Sequence, residues 1–227
     1  MEISQENLNL WDGRLLTAQE KSKYEKWALD FFQDKRYVED PWLNLTLKVD
    51  ISAARNNYKK KYCEHDGATF TAWLTWKMIQ AMKTNPWTRY RRIAGQWYIF
   101  ENLPLFFPVA IDDDARFTEP LITNPISSWH EFTLKWQRAT KTDQRIKIPH
   151  SVWSLAHFIG NLPNINFTSF NLHRGSQDSS RPFFYFGKRH EVGGKWFVPL
   201  SITFNHSTGD PVVIDKLLAD FTNLMMD

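Results

Sequence analysis

One cysteine, Cys63, among 227 residues excludes any disulfide within the chain, and no Cys/His spacing resembles a zinc site. No apolar run approaches the ~18 residues that a membrane span requires. The opening stretch, MEISQENLNLWDGR, lacks the basic-then-apolar layout of a secretion signal, so the cytoplasm is the expected compartment. There is no Gly-rich phosphate loop after a strand and no Gly-x-Ser-x-Gly elbow. A net charge of only +3 gives no reason to expect nucleic acid as a partner. Repeats, low-complexity tracts and linkers are also missing, so residues 1–227 read as one domain.

Aromatic side chains are abundant: 15% of the chain, with 11 Trp. That content favours a β-rich or mixed architecture with large packed rings. LNLTLKVDI alternates strictly, with Leu43, Leu45, Leu47, Val49 and Ile51 on one side, as in a half-buried strand. Residues 17–32 read as a helix gathering Tyr24, Trp27, Phe31 and Phe32 on one side, and Thr69 to about Lys83 as a largely buried helix. Ser128 and Glu131 form a capping box before Trp129, Phe132 and Trp136. A short helix is expected near SVWSLAHFIGNLP, ended by Gly160 and Pro163. QWYIFE, PLFFPVAI, INFTSFNL, FFYFGKRH and WFVPLSITFN read as strands, with a hairpin turn at Gly193–Gly194. Asp210 and Pro211 open a C-terminal helix with Val213, Leu217, Leu218, Phe221 and Leu224 on its apolar face. This order predicts a two-layer α/β sandwich: a mixed, largely antiparallel sheet with helices packed on one face.

Of seven histidines, His206 is the best placed for chemistry. It follows an apolar strand, adjoins the small loop Ser207–Thr208–Gly209 and precedes a helix start. A neutral imidazole held in one tautomer there can take a proton from a hydroxyl or thiol. Taken alone, His-x-x-x-Asp fits a turn residue and a helix cap equally well. Asp112, Asp113 and Asp114 read as a solvated loop rather than a metal site. Lys59–Lys61 and Arg89, Arg91 and Arg92 read as solvated faces, with a phosphate-bearing ligand as the alternative. Lys188 and Arg189 leave a strand together, where the same alternative applies.

The stretch LPNINFTSFNL, followed by GKRHEVGGKWFVPLSITFNHSTGDPVVIDKLLADF, resembles the C-terminal half of the chloramphenicol acetyltransferase family. QWYIFENLPLFFPVAIDDDARF, NLTLKVDISA and ATFTAWLTWKMIQAM extend the resemblance over nearly the whole chain. It implies a homotrimer with its site between subunits, and acetyl transfer from acetyl-CoA to a small-molecule hydroxyl acceptor, with no metal. His206 is then the general base and Ser169 the donor to the oxyanion, while Asp210 organises the histidine loop. Lys188 and Arg189 fall at the CoA-binding positions, Arg189 in place of a tyrosine. Ala110, Phe183 and Tyr185 fall at acceptor-pocket positions where the family has other residues, so chloramphenicol need not be the acceptor.

Three departures qualify that reading. The family's Asp-Gly is Asp210–Pro211, its histidine pair is Asn205–His206, and the arginine that pairs with its motif aspartate has no counterpart at Glu20 or Lys21. Lys21, Lys23 or Arg14 are the candidate substitutes. The alternative expectation is a catalytically inactive trimeric homologue that serves as a binding or scaffold protein.

Overall fold

The structure, a computed structural model, describes residues 3–111, 116–141, 149–172 and 180–227. In chain order the elements are α1 (Gln5–Leu10), β1 (Gly13–Leu15), α2 (Lys23–Phe31), β2 (Trp42–Asp50), α3 (Ser52–Lys61), α4 (Phe70–Lys83), β3 (Tyr90–Ile93), β4 (Gln96–Phe100), β5 (Leu105–Phe106), β6 (Val109–Ala110), β7 (Phe117–Thr118), β8 (Leu121–Ile122), α5 (Trp129–Lys141), α6 (His150–Leu155), β9 (His157–Asn161), β10 (Phe183–Phe186), β11 (His190–Val192), β12 (Lys195–Asn205) and α7 (Pro211–Met226).

The long strand β12 organises the main sheet. It pairs antiparallel with β2, β10 and β11, and β10 and β5 flank β9 in parallel. β8 closes the edge beside β5. The expected mixed, largely antiparallel sheet is therefore present. Alternation along the strands decides which face is covered. Leu105, Ile159, Phe184, Phe186, Val198, Leu200 and Ile202 meet residues of α4, α5 and α7, including Trp73, Met78, Phe132, Leu217 and Phe221, in one core. On the opposite face stand Phe106, Phe158 and Phe183 in a smaller cluster, together with Ser201 and Thr203. Asn44 donates to both of those hydroxyls, at 3.2 and 2.7 Å.

Local signals are obeyed where the chain satisfies its own termini. Thr69 caps α4, accepting from Ala72 N–H. Ser128 and Glu131 exchange side-chain and backbone bonds before α5. Gly193 and Gly194 both have positive φ in the β11–β12 turn.

Several expectations are corrected. The helix expected over residues 17–32 is only Lys23–Phe31, because the capping box of Ser22 and Glu25 starts it there and β1 occupies the chain before it. Tyr24 and Trp27 on its aromatic stripe stay 43% and 48% exposed, since Ala28 and Leu29 make the buried side. PLFFPVAI is two short strands, β5 and β6, split at Phe107–Pro108. INFTSFNL forms no strand. A turn at Pro163 brings Ile165 N–H to Leu162 O, and Ile165 O then accepts from Lys188 N–H, so no ladder follows. Gly160 does not end a helix: α6 stops at Leu155 and Gly160 lies inside β9. The Tyr185 ring of the adjacent strand occupies the space its Cβ would need, 2.2 Å from Cε1. The helices α1 and α3 were not anticipated. Arg89 and Arg91 are buried rather than solvated. The Arg91 guanidinium donates to the carbonyls of Leu155, Thr88 and Tyr90, and Arg89 pairs with Glu101. Asp112–Asp114 lie outside the described residues.

Candidate functional site

β12 ends at Asn205, and His206 begins the turn that leads into α7. His206 N–H still donates to Pro41 O at 2.7 Å, so the ladder between β2 and β12 extends to the histidine backbone. Its Nδ1 lies 3.0 Å from Gly209 O. A carbonyl only accepts, so the proton sits on Nδ1 and the neutral ring keeps its lone pair on Nε2. The Phe32 ring, just past α2, stacks on the imidazole with centroids 4.0 Å apart. Gly209 permits this tight turn by its lack of a side chain, since a Cβ there would meet Phe204 at 2.8 Å.

Asp210 caps α7, its Oδ1 accepting from Val212 N–H at 2.7 Å and Val213 N–H at 3.2 Å. Among the described residues it has no ion-pair partner. Arg14, one candidate for that part, is engaged by Glu20, at 2.6 Å from Nη2 and 2.8 Å from Nη1. That pairing and bonds from Thr17 bring the Glu20 carboxyl down to about 2. Burial, and secondarily the charge of Asp210, push the Tyr24 phenol up.

Ser169 lies in the irregular segment after β9. It is exposed, and among the described residues its side chain makes no hydrogen bond. The segment is pinned next door, where Phe170 O accepts from Ser201 Oγ at 2.9 Å and the Phe170 ring meets Tyr185 at 4.7 Å. No hydrogen bond or ring contact joins Ser169 to His206 within one chain. Tyr185 and Phe183 share the sheet face away from the large core, with Phe183 buried. Burial pushes the Tyr185 hydroxyl up to about 12. Ala110 stands apart from them, on the exposed β6–β7 hairpin opposite Phe117.

Arg189 reaches a cavity of about 380 Å³ that is lined also by Arg55, Lys59, Tyr58, Thr71 and Trp196. Its guanidinium donates to Thr71 Oγ1 at 3.1 Å. Arg55 lies 3.4 Å over the Trp196 ring. Burial, then the charge of Arg55, lowers the Arg189 pKa. Among the described residues no carboxylate lines this cavity, whose charged side chains are all basic. Sequence reading missed Arg55, and Lys59 was placed in a solvated run. The only available signal was the basic character of α3, and a helix there was not foreseen. Lys188 is exposed and does not line the cavity. No helix among the described residues is long and apolar enough to cross a membrane. No group of three or more His, Cys, Asp or Glu among them is arranged to hold a metal ion.

A sheet covered on one face by helices is a fold this chain shares with solved acetyltransferases. A solved chloramphenicol acetyltransferase superposes with a TM-score of 0.77 at 17% identity, over 94% of this chain and 99% of that one. The catalytic core of a 2-oxoacid dehydrogenase complex from Thermoplasma acidophilum gives 0.64 at 14% identity, over 94% and 98%. A dihydrolipoamide acetyltransferase from Azotobacter vinelandii gives 0.61 at 16%, over 83% and 82%. At such identities the likeness is one of fold. A chloramphenicol acetyltransferase from Campylobacter coli is 35% identical over 65 residues, covering 28% of this chain and 31% of that protein's length. The chain belongs to the chloramphenicol acetyltransferase family, whose model matches residues 22–222.

Proposed function

We propose that this protein is an acetyl-CoA-dependent O-acetyltransferase acting on a small hydroxyl-bearing acceptor, as one domain in a cytoplasmic homotrimer. The observation that carries this reading is the orientation of His206: Nδ1–H is committed to Gly209 O, and Phe32 holds the ring plane. Acetyl-CoA supplies the activated acetyl group as a thioester. The acceptor oxygen forms the new ester bond, and CoA leaves as the thiol. Nε2 of His206 takes the hydroxyl proton as that oxygen attacks and returns it to the departing sulfur, so the enzyme ends as it began. Ser169 Oγ–H donates to the carbonyl oxygen as negative charge develops on it. Asp210 holds the loop through the cap of α7 rather than moving protons.

The cavity of Arg55, Lys59 and Arg189 suits the phosphates of CoA, because guanidinium groups match phosphate oxygens and no acid competes for them. Its wall includes Trp196, near the start of β12, whereas His206 follows the end of that strand. At about 3.3 Å per residue the two lie roughly 30 Å apart in one chain. That separation, with Ser169 unengaged, supports a site in which His206 of one copy faces the donor cavity and serine of the next. Phe183, Tyr185 and Ala110 are then acceptor-side residues, and the last needs the assembly to approach the other two.

The test is CoA release from acetyl-CoA with chloramphenicol and a panel of other alcohols as acceptors. Wild type turns over at least one of them, and His206→Ala loses ~10²–10⁴-fold. Absence of any acceptor-dependent turnover refutes the reading and leaves the scaffold alternative, whereas unchanged turnover in His206→Ala refutes the histidine as the base.

A further inference from the structure

The bonds to Pro41 and Gly209 fix the backbone and one ring nitrogen of His206, but the stack depends on where Phe32 sits. Phe32 follows α2, far from β12 in sequence, so some contact must tie the helix end to the histidine loop. In the family resemblance the aspartate that organises this loop pairs with an arginine from the N-terminal part of the chain. Here Arg14 is held by Glu20, and Asp210 has no ion pair among the described residues.

Gln33, the residue after Phe32, makes the tie. Its amide nitrogen donates to Asn205 Oδ1 at 3.2 Å and to Ser207 Oγ at 2.6 Å. Those two residues flank His206, and each is only 2% exposed. Asn205 Oδ1 also accepts from Ser207 N–H at 2.9 Å. That backbone donor fixes which end of the Asn205 amide is oxygen, and therefore requires nitrogen at the facing end of Gln33. Asn205 Nδ2 lies 3.4 Å from Ser180 Oγ, which it can reach as a second donor contact. Asn205 stands where the family has the first of two histidines, so the loop is built to receive a donor on this side.

We propose that Gln33 is the positioning residue for His206, and that a neutral amide clasp replaces the family's ion pair; this rests on reading His206 as the base. The clasp holds Phe32 over the imidazole by holding its neighbour. Being uncharged on both sides, it neither titrates nor weakens as salt rises. Its loss leaves a buried Asn205 carbonyl with one donor fewer and releases the stacked ring.

The test uses the full-length protein with ¹⁵N-labelled histidine. In wild type the neutral His206 resonances report a proton on Nδ1. Gln33→Met keeps the length but donates nothing, so His206 shifts towards a mixture of tautomers. CoA release with the best acceptor of the panel falls ~10–10²-fold in kcat, with KM for acetyl-CoA unchanged. Gln33→Glu places an anion beside the loop, so the imidazole is harder to deprotonate and the acid limb of the pH–rate profile moves to higher pH. A merely structural glutamine lowers Tm in Gln33→Met without touching tautomer or kcat. Wild-type ¹⁵N shifts and unchanged kcat in Gln33→Met overturn the proposal. Failure of the base reading is separate, because it is seen as turnover surviving in His206→Ala whatever the ¹⁵N spectra show.

Discussion

The histidine loop and the serine segment make opposite use of the same sheet. Around His206 nearly every group within reach is committed: backbone to Pro41, Nδ1 to Gly209, ring face to Phe32, and the following carboxylate to α7. Around Ser169 the chain is tethered at Phe170, while the serine itself is exposed and makes no side-chain hydrogen bond among the described residues. A base must hold one tautomer before the acceptor arrives, so its surroundings are settled in advance. A donor to a developing oxyanion needs its hydrogen free until charge appears, and an internal acceptor would compete for it. The contrast is what the proposed divided site requires, and it can be attacked from either side.

The sharpest break is at the serine. Ser169→Ala should lower kcat by ~10²–10³-fold while leaving Tm unchanged, because an exposed, unbonded hydroxyl contributes little to the fold. An equal loss of stability would mean that the segment is not open. Next is the cavity proposed for the donor. Arg189→Gln and Arg55→Gln should each raise KM for acetyl-CoA by ~10–100-fold, as expected for a charge-assisted hydrogen bond of about 1.5–3 kcal/mol. Lys188→Gln should do much less, since Lys188 does not line the cavity. The same KM series in dephospho-CoA derivatives checks that phosphate is the group recognised.

On the histidine side, Asp210→Ala should cost about 0.5–2 kcal/mol in denaturant unfolding, the usual loss for an N-cap. Because Asp210 has no ion-pair partner among the described residues, that cost should be insensitive to salt. The smallest effect concerns the strand that feeds the serine segment. His157, at the start of β9, is fully buried beside Arg91 and Arg89, and burial holds it well below the ordinary 6.5. It therefore stays neutral in the fold while the unfolded chain takes up a proton as pH drops. Stability is present above 6.5 and is lost as pH falls towards the folded value, with a slope of at most about 1.4 kcal/mol per pH unit. His157→Phe should flatten that slope in thermal or urea unfolding between pH 6.5 and 4.5. A parallel shift of the whole curve would mean that the histidine is charged in the fold.

Sequence alone settled whatever neighbouring residues decide between themselves. Caps at Ser128 and Asp210 and the Gly193–Gly194 turn rest on groups a few residues apart, and each appears where expected, whereas the half-buried face expected of β2 holds only at Leu47 and Val49, Leu43 and Leu45 being exposed. His206 was legible for the same reason, since strand, loop and helix start are consecutive. Tertiary structure decided what depends on residues far apart in the chain. Gly160 is a strand residue because a Tyr185 ring needs its space, and Arg91 is interior because three distant or turn carbonyls converge on it. Gln33 meets Asn205 across 172 positions, and Arg55 meets Arg189 only once α3 packs beside the β11–β12 corner. Local propensity is written in short-range sterics and hydrogen bonds. Which side chain covers or completes another is settled only when the sheet and its helices close together.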